Sequence, residues 1–196
     1  MYRYFTIYKP CFVLSQFSAQ DGKKTLADFF HVPKDVYPVG RLDYDSEGLL
    51  ILTNDPSLNF RLLNPIHGHE RTYLVQVEGM ITPTAIQQLQ QGVAIAVNGK
   101  THRTLPCKTA TITTEPIVPD RYPPIRFRKH IPVSWLQLTL TEGKNRQVRK
   151  MTAGVGFPTL RLIRTSIGKV TLQALQPGEM KEWKKQALYT LLFSGV

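Results

Sequence analysis

The sequence predicts an α+β fold with a mixed, mainly antiparallel central sheet flanked by helices. Residues 49–53 form a continuous apolar run, which is typical of a strand covered on both faces. Residues 72–78 and 134–141 alternate between apolar and polar side chains, as half-buried strands do. Helical and strand segments follow one another without a regular strand–helix–strand period, which favours the α+β class over a doubly wound sheet.

Turn residues and apolar periodicity predict the elements in chain order. The N-terminal residues are aromatic and β-branched around Lys9-Pro10, which predicts a strand that ends in a turn. The later elements are predicted to be a short helix over 25–30, the core strand over 49–53, a helix after Asp55, a strand over 72–78, a helix over 84–91, a loop over 116–132, a strand over 134–141, a helix over about 146–153, strands over 160–166 and 170–172, and a last helix over about 184–192.

Two helix starts are predicted from their capping residues. Asp55 and Thr82 each precede a proline, and a capping side chain followed by proline at the first helical position is typical of a helix N-terminus. In the helix after Asp55, the spacing of Leu58, Leu62 and Leu63 predicts that these three side chains lie on one face.

The composition is that of a folded chain. Of its 196 residues, 42% are hydrophobic, which is enough for one buried core or two small cores that share a sheet. We expect a single domain over 1–196, with two subdomains sharing one sheet. No apolar run reaches the roughly eighteen residues that cross a bilayer, and the N-terminus lacks the apolar segment of a signal peptide. We therefore expect a cytoplasmic protein without a membrane partner, and nothing demands more than a monomer.

The cysteines and histidines do not predict a metal site. Cys11 and Cys107 are too few for a disulfide framework or an all-cysteine zinc site. His67 and His69 have the spacing of two ligands, but no cysteine or acidic residue at motif spacing completes the set. We expect no metal, and we interpret the histidines as ordinary loop residues.

The charge of the chain is strongly positive. The 25 Lys and Arg residues exceed the 14 Asp and Glu residues by 11, and the sequence pI is about 9.8. This surplus favours a polyanionic partner, although a membrane surface or simple solubility would also explain it. The positions of the basic residues have to decide between these interpretations.

Two segments concentrate polar residues beside predicted core strands. Residues 40–48, with the sequence GRLDYDSEG, form a charged loop between glycines that leads directly into the core strand. Catalytic side chains are commonly presented by loops of this kind, which a rigid strand holds in place. Residues 143–151, with the sequence GKNRQVRKM, place four cations at the start of a predicted helix. The helix dipole disfavours positive charge there, so another factor should favour it.

Phosphate groups would favour these cations. Backbone N–H groups at a helix start and nearby cations together make an anion site. Arg146, Arg149 and Lys150 have spacings that place them on one flank of the helix, while Val148 and Met151 face the core. The alternative is a solvated basic helix face without a ligand. The proline-rich loop over 116–132 has two equal interpretations, a surface insertion or an RNA-contacting segment.

Four blocks of the chain resemble a known family when they are taken together and in order. They are YKPCFVLSQF near the start, GRLDYDSEGLLILTND, RTYLVQVEG, and EGKNRQVRKMTAGVGFPTLRLIRTSIG. These blocks extend over nearly the whole chain and resemble the RsuA-type rRNA pseudouridine synthases. The resemblance implies the pseudouridine synthase fold with a central active-site cleft, and isomerisation of a uridine in large-subunit (23S) rRNA without a cofactor.

The resemblance also implies roles for individual residues. Asp43 matches the catalytic aspartate, and Tyr73 matches the tyrosine that stacks on the target uracil and assists proton removal from C5. Arg149 matches the arginine that pairs with the catalytic carboxylate, and Leu162 matches an apolar residue of the pocket. From the residues alone, Asp43 is also interpretable as a turn-forming acid and Tyr73 as a core aromatic, and Asp45 is the reserve candidate for the carboxylate.

The cations are expected to hold the RNA backbone. Further substrate-binding candidates are the following: Arg41, Lys144, Asn145, Arg146, Lys150, Arg161 and Arg164, with the basic residues of 121–129 as additional phosphate contacts. Many family members carry a small RNA-binding domain named after ribosomal protein S4 before the first strand, and we expect none in this chain. The competing functions are an RNA-binding or ribosome-assembly module without activity, and a hydrolytic nuclease, which would usually need metal-binding acids.

Overall fold

The computed structural model describes residues 1–20, 22–125, 131–172 and 174–193. In this part of the chain the strands are β1 (Tyr4–Lys9), β2 (Val13–Leu14), β3 (Lys24–Thr25), β4 (Tyr37–Pro38), β5 (Glu47–Thr53), β6 (Arg71–Glu78), β7 (Ala94–Val97), β8 (Lys100–Arg103), β9 (Lys108–Ile112), β10 (Val133–Leu140), β11 (Thr159–Ile167), β12 (Val170–Thr171) and β13 (Met180–Glu182). The α-helices of the same part are α1 (Pro56–Leu63), α2 (Pro83–Gln91), α3 (Gln147–Gly154) and α4 (Lys185–Phe193), and short 3-10 helices cover Leu26–Asp28 and Pro65–His67.

The chain divides into two compact units. The first unit contains Met1–His69 and Ile163–Val196, and the second contains Glu70–Leu162. The unit boundary therefore falls within β11, between Leu162 and Ile163.

The first unit is built on the buried strand β5. All seven residues of β5 are buried, as the apolar run predicts. Strand β1 pairs with β5 in antiparallel orientation, and β13 pairs with the other edge of β1. Strand β4 is antiparallel to β5, whereas β11 is parallel to it, with Arg164 opposite Gly48. The sheet of this unit is therefore mixed and mainly antiparallel, as the sequence predicts.

The second unit has its own core, and its long strands pair around β10. Strand β10 pairs in antiparallel orientation with β6 on one side and with β9 on the other. Leu136, Leu138 and Leu140 all lie in the buried core, as their alternation predicts, and Val148 and Met151 of α3 lie in the same core.

The predicted helix caps are confirmed. The Asp55 carboxylate accepts the Ser57 N–H at 3.0 Å, and the Thr82 hydroxyl accepts the Ala85 N–H at 3.2 Å. The prediction that three leucines of α1 share one buried face is wrong for Leu63. Leu58 and Leu62 are buried, but Leu63 is 46% exposed, because consecutive residues point about 100° apart around a helix.

Other differences concern short elements. The helix predicted over 25–30 is a 3-10 turn of Leu26–Asp28. The hairpin of β7 and β8 was not predicted, nor were β3, β4, β9 and β13. Within the described ranges, no helix is both long and apolar enough to cross a membrane.

Candidate active site

In the first unit, the candidate carboxylate stands in the loop before β5. Asp43 is half-buried, and its backbone carbonyl accepts the Ser46 N–H at 3.0 Å, which closes a turn ahead of the strand. Among the described residues of this unit, no hydrogen bond or ion pair engages the Asp43 carboxylate. The carboxylate is therefore available to a ligand. Asp45, the reserve candidate, is also half-buried, and its backbone carbonyl accepts the Cys11 thiol at 3.5 Å.

The loop ends at a close approach between two strands. Gly48 has a φ of +110°, and a Cβ atom added to it would lie 2.3 Å from the Arg164 carbonyl oxygen and 2.7 Å from its nitrogen. The buried Arg164 guanidinium also donates from Nε to the Leu49 carbonyl at 2.8 Å. Strand β11 thus fixes the end of the loop, and only glycine fits at position 48.

In the second unit, Tyr73 lies on β6 opposite Leu138 of β10. Its half-buried ring packs against the core of the unit, on the same side of β6 as Val75 and Val77. The Tyr73 hydroxyl has no hydrogen-bonding partner within the described part of the chain. The ring is therefore fixed by packing while the hydroxyl stays available.

The basic helix start is organised by a buried amide. Gln147 is 4% exposed, and its Oε1 accepts the Lys144 N–H at 2.8 Å while its Nε2 donates to Glu142 Oε1 at 2.8 Å. Arg146 caps the helix in the left-handed region, with a φ of +52°. The Gln147 N–H is bonded to the Lys144 carbonyl, so an anion site here depends mainly on the side-chain cations. The sequence analysis did not single out Gln147 for this anchoring position.

Arg149 is held near the junction of α3 and β11. It is half-buried, and Nη1 donates to the Thr159 carbonyl at 3.4 Å. The Thr152 hydroxyl donates to the Arg149 carbonyl at 3.3 Å and lies 2.7 Å from the Thr159 hydroxyl. Leu162, on the same strand, is 4% exposed and belongs to the core of the second unit. Helix and strand together limit the positions open to the Arg149 guanidinium.

The predicted phosphate-binding residues fall into two groups. Arg41, Lys144, Asn145 and Arg146 are exposed, and Lys150 is half-buried. Arg161 and Arg164, in contrast, are 6% and 4% exposed, and Arg161 Nη2 donates to the Pro119 carbonyl at 2.7 Å. Both buried guanidinium groups thus bond backbone carbonyls, and we restrict the phosphate-binding set to the first group.

The proline-rich loop is only partly described. Its described residues form no helix or strand, and Arg121 Nη1 donates to the Leu160 carbonyl at 3.3 Å. Arg126, Phe127, Arg128 and Lys129, which the sequence analysis counted in this loop, lie outside the described residues. Over the residues that the structure covers, no group of three or more His, Cys, Asp or Glu side chains could hold a metal ion.

The sequence matches a known family and named relatives. A family described as RNA pseudouridylate synthase matches residues 3–154. "Ribosomal large subunit pseudouridine synthase E" of Vibrio vulnificus is 52% identical over 174 residues, which cover 89% of this chain and 72% of the relative. The protein of the same name from Xanthomonas axonopodis pv. citri is 51% identical over 171 residues, covering 86% of this chain and 87% of the relative.

Solved structures agree with these matches. A structure described as "Crystal structure of pseudouridylate synthase" superposes with a TM-score of 0.79 at 27% identity, covering 97% of this chain and 74% of the other. "Human RNA Pseudouridylate Synthase Domain Containing 1" superposes with a TM-score of 0.56 at 14% identity, covering 98% of this chain and 83% of the other, and shows the fold alone. The predicted fold class is confirmed.

Proposed function

Because this chain belongs to the RNA pseudouridylate synthase family, we propose that it isomerises one specific uridine of large-subunit (23S) rRNA, with Asp43 as the catalytic carboxylate. Family membership makes the chain an isomerase, and the target, the base extrusion and the residue roles are the proposal. One observation carries the substrate: relatives named for the large ribosomal subunit are 51–52% identical over 86–89% of the chain. We further propose that it acts as a monomer in the cytoplasm.

The reaction needs a carboxylate beside the ribose. The bond from C1′ to N1 breaks, the uracil turns, C1′ bonds to C5, the C5 proton leaves to a base, and N1 takes up a proton. Substrate and product are isomers, so no redox equivalent is consumed. Cleavage builds positive charge at C1′, which a carboxylate stabilises or traps, as in glycoside hydrolysis. Asp43 carries out this step by attack on C1′ or by removal of the C2′ proton.

Tyr73 and Arg149 complete the proposed constellation. A uracil drawn out of its stack needs an aromatic face, and the core-packed Tyr73 ring provides one. The Tyr73 hydroxyl assists removal of the C5 proton. Arg149 pairs with the Asp43 carboxylate, because a guanidinium stays charged and binds carboxylates in bidentate geometry.

The pairing is tested by replacing Arg149. We expect Arg149→Ala to lower kcat at least about 10-fold, and Arg149→Lys to recover little, because an ammonium lacks the bidentate geometry. Lys150→Ala is the control on the same helix, and it should mainly weaken RNA binding. Unchanged turnover of Arg149→Ala would remove Arg149 from the proposal and leave Asp43 in place.

The exposed cations supply most of the RNA affinity in this proposal. Lys144, Arg146, Lys150 and Arg41 contact phosphates, so binding weakens steeply as salt rises. Such contacts carry little sequence information, and selectivity follows from the shape and flexibility of the target loop. RNA in which the target uridine is locked in a stable duplex should therefore react slowly.

Tritium release from C5-labelled uridine in rRNA tests the activity. The protein should release tritium from large-subunit rRNA in proportion to pseudouridine formed, whereas a pure RNA-binding module would release none. Pseudouridine mapping in cells that lack the gene locates the target. We expect one large-subunit position to lose its modification and to regain it on complementation. Loss only from small-subunit rRNA would contradict the proposed substrate.

A further inference from the structure

A turn near the N-terminus forms hydrogen bonds with the backbone of the residues on both sides of Asp43. We call residues 9–15 the clamp turn; it runs from the end of β1 through β2 to Ser15 in the first unit. The Ser15 hydroxyl donates to the Leu42 carbonyl at 2.8 Å and accepts the Leu42 N–H at 3.0 Å. Both residues are buried, with 5% and 7% exposure. One hydroxyl thus satisfies both backbone groups of the residue before Asp43.

The residue after Asp43 is held by the same turn. The Phe12 N–H donates to the Tyr44 carbonyl at 2.7 Å, and the two rings contact each other with centroids 5.4 Å apart. Phe12 adopts a φ of +57°, which costs a residue with a side chain about 1–2 kcal/mol. Contacts elsewhere must offset this strain. The strained conformation of Phe12 places its N–H and its ring in contact with Tyr44.

A buried ammonium closes the clamp turn from inside. Lys9 has no exposed surface, and its Nζ donates to the Pro10 carbonyl at 2.9 Å and to the Val13 carbonyl at 2.7 Å. A buried charge requires such acceptors, so the turn cannot open without leaving the ammonium unsatisfied. The clamp turn is therefore a rigid support for the backbone around Asp43.

We propose that Ser15 is a positioning residue for the isomerisation, which fixes the Asp43 backbone through Leu42 while the Phe12 N–H fixes it through Tyr44. This inference rests on the proposed role of Asp43. Since no described residue of its own unit holds the Asp43 carboxylate, the direction of the side chain depends on its backbone. A displacement of about 1 Å of a reacting group costs on the order of 100-fold in rate, so a hydroxyl that never touches the RNA governs kcat.

The second unit offers a matched control. The Ser134 hydroxyl donates to the Gly79 carbonyl at 2.8 Å and accepts the Ile81 N–H at 3.0 Å, with 8% exposure. Ser134→Ala therefore removes the same two kinds of hydrogen bond at nearly the same burial, in the unit that does not contain Asp43. It separates a loss of positioning from a general loss of stability.

The test compares kcat and KM on large-subunit rRNA transcripts. We expect Ser15→Ala to lower kcat by about 10- to 100-fold with KM within about twofold of wild type. Ser15→Thr, which keeps the hydroxyl, should restore most of kcat. Ser134→Ala should lower the melting temperature by a similar amount and leave kcat within about twofold. If Ser15→Ala does not fold, Ser15→Cys replaces it, because a thiol keeps the shape but is a weak donor.

The two proposals fail in different ways. If kcat of Ser15→Ala, or of Ser15→Cys, stays within about twofold of wild type while Asp43→Asn is inactive, the inference about Ser15 is overturned and the proposed function stands. Equal losses of kcat in the Ser15 and Ser134 variants would also overturn the inference, because the effect would then be general. Full activity of Asp43→Asn would overturn the proposed function itself.

Discussion

Replacing Gly48 by alanine is the most direct test of how β5 and β11 hold the candidate loop. The new Cβ would lie 2.3 Å from the Arg164 carbonyl oxygen and 2.7 Å from its nitrogen. Both are backbone atoms of the partner strand, so no side-chain rotation relieves the overlap. The two strands must separate, which also weakens the bond from Arg164 Nε to the Leu49 carbonyl.

The expected loss of stability is large. An alanine at a φ of +110° costs about 1–3 kcal/mol, and the disturbed inter-strand hydrogen bonds add about 1 kcal/mol each. We therefore expect Gly48→Ala to cost at least about 3 kcal/mol. For a chain of this size, each kcal/mol lowers the melting temperature by about 2–4 °C, so the decrease should be at least about 6–12 °C.

Gly99 and Gly143 provide the controls, and far-ultraviolet circular dichroism provides the assay. Gly99 has a φ of +75°, but an added Cβ meets no heavy atom within 4 Å, so Gly99→Ala isolates the backbone strain. Its cost of about 1–2 kcal/mol should appear as a decrease of roughly 2–8 °C. Gly143→Ala introduces neither a strained φ nor an overlap, so its melting temperature should equal that of the wild type. Equal decreases for Gly48→Ala and Gly99→Ala would refute the close approach of β5 to β11.

Three further outcomes are expected. Burial lowers the pKa of Lys9 to about 8 from its ordinary 10.5, so between these pH values the unfolded chain binds the extra proton and stability rises with pH. Urea titrations at pH 8 and pH 10.5 measure this increase in the free energy of unfolding. It should be on the order of 3 kcal/mol in the wild type and absent in Lys9→Met. Burial raises the pKa of Asp55, but the hydrogen bonds from Tyr4, Tyr189 and the Ser57 N–H, with the charge of Lys185, together hold it below 3.8. The ionised Asp55 therefore stabilises the fold above pH 3.8, and this stabilisation is lost as the pH falls through the lowered pKa of the folded state. In melting temperatures measured over a series of acidic pH values, Asp55→Asn should show a smaller decrease with falling pH than the wild type. Lys144→Ala should reduce the slope of log affinity against log salt by about 1 in filter-binding titrations, and an unchanged slope would remove Lys144 from the phosphate contacts.

Local chemistry explains which parts of the fold were predictable. Helices α1 and α2 begin where Asp55 and Thr82 cap them, because a cap and a following proline act within one turn. Strand β5 was predictable because a strand buried on both faces needs an unbroken apolar run. These signals need no information about distant neighbours.

The strands that the sequence analysis missed fall into two cases. Some form only because a neighbouring strand pairs with them, and others follow a turn signal in the sequence that was not used. Strand β13 has three exposed residues and exists by pairing with β1, so its own sequence carries no apolar pattern. The hairpin of β7 and β8 turns at Asn98-Gly99, where both residues have positive φ. Asn-Gly is a strong hairpin signal that the sequence analysis did not use.

The candidate site was predictable in its residues but not in their support. The family blocks indicated Asp43, Tyr73 and Arg149, and their roles stay predictions. Sequence shows charge but not burial, so the buried Arg161 was grouped with the exposed cations. Ser15 lies 27 residues before Leu42, and no local pattern relates the two.

Pseudouridine formation by Asp43→Asn tests the central claim most directly. Purified wild type, Asp43→Asn and Asp45→Asn are each incubated with unmodified large-subunit rRNA, and pseudouridine is quantified by mass spectrometry alongside RNA affinity. We predict that Asp43→Asn binds the RNA with near wild-type affinity yet forms no pseudouridine, whereas Asp45→Asn still converts the target. Conversion by Asp43→Asn at the wild-type rate, or loss of activity in Asp45→Asn alone, would contradict the assignment of the reaction to Asp43.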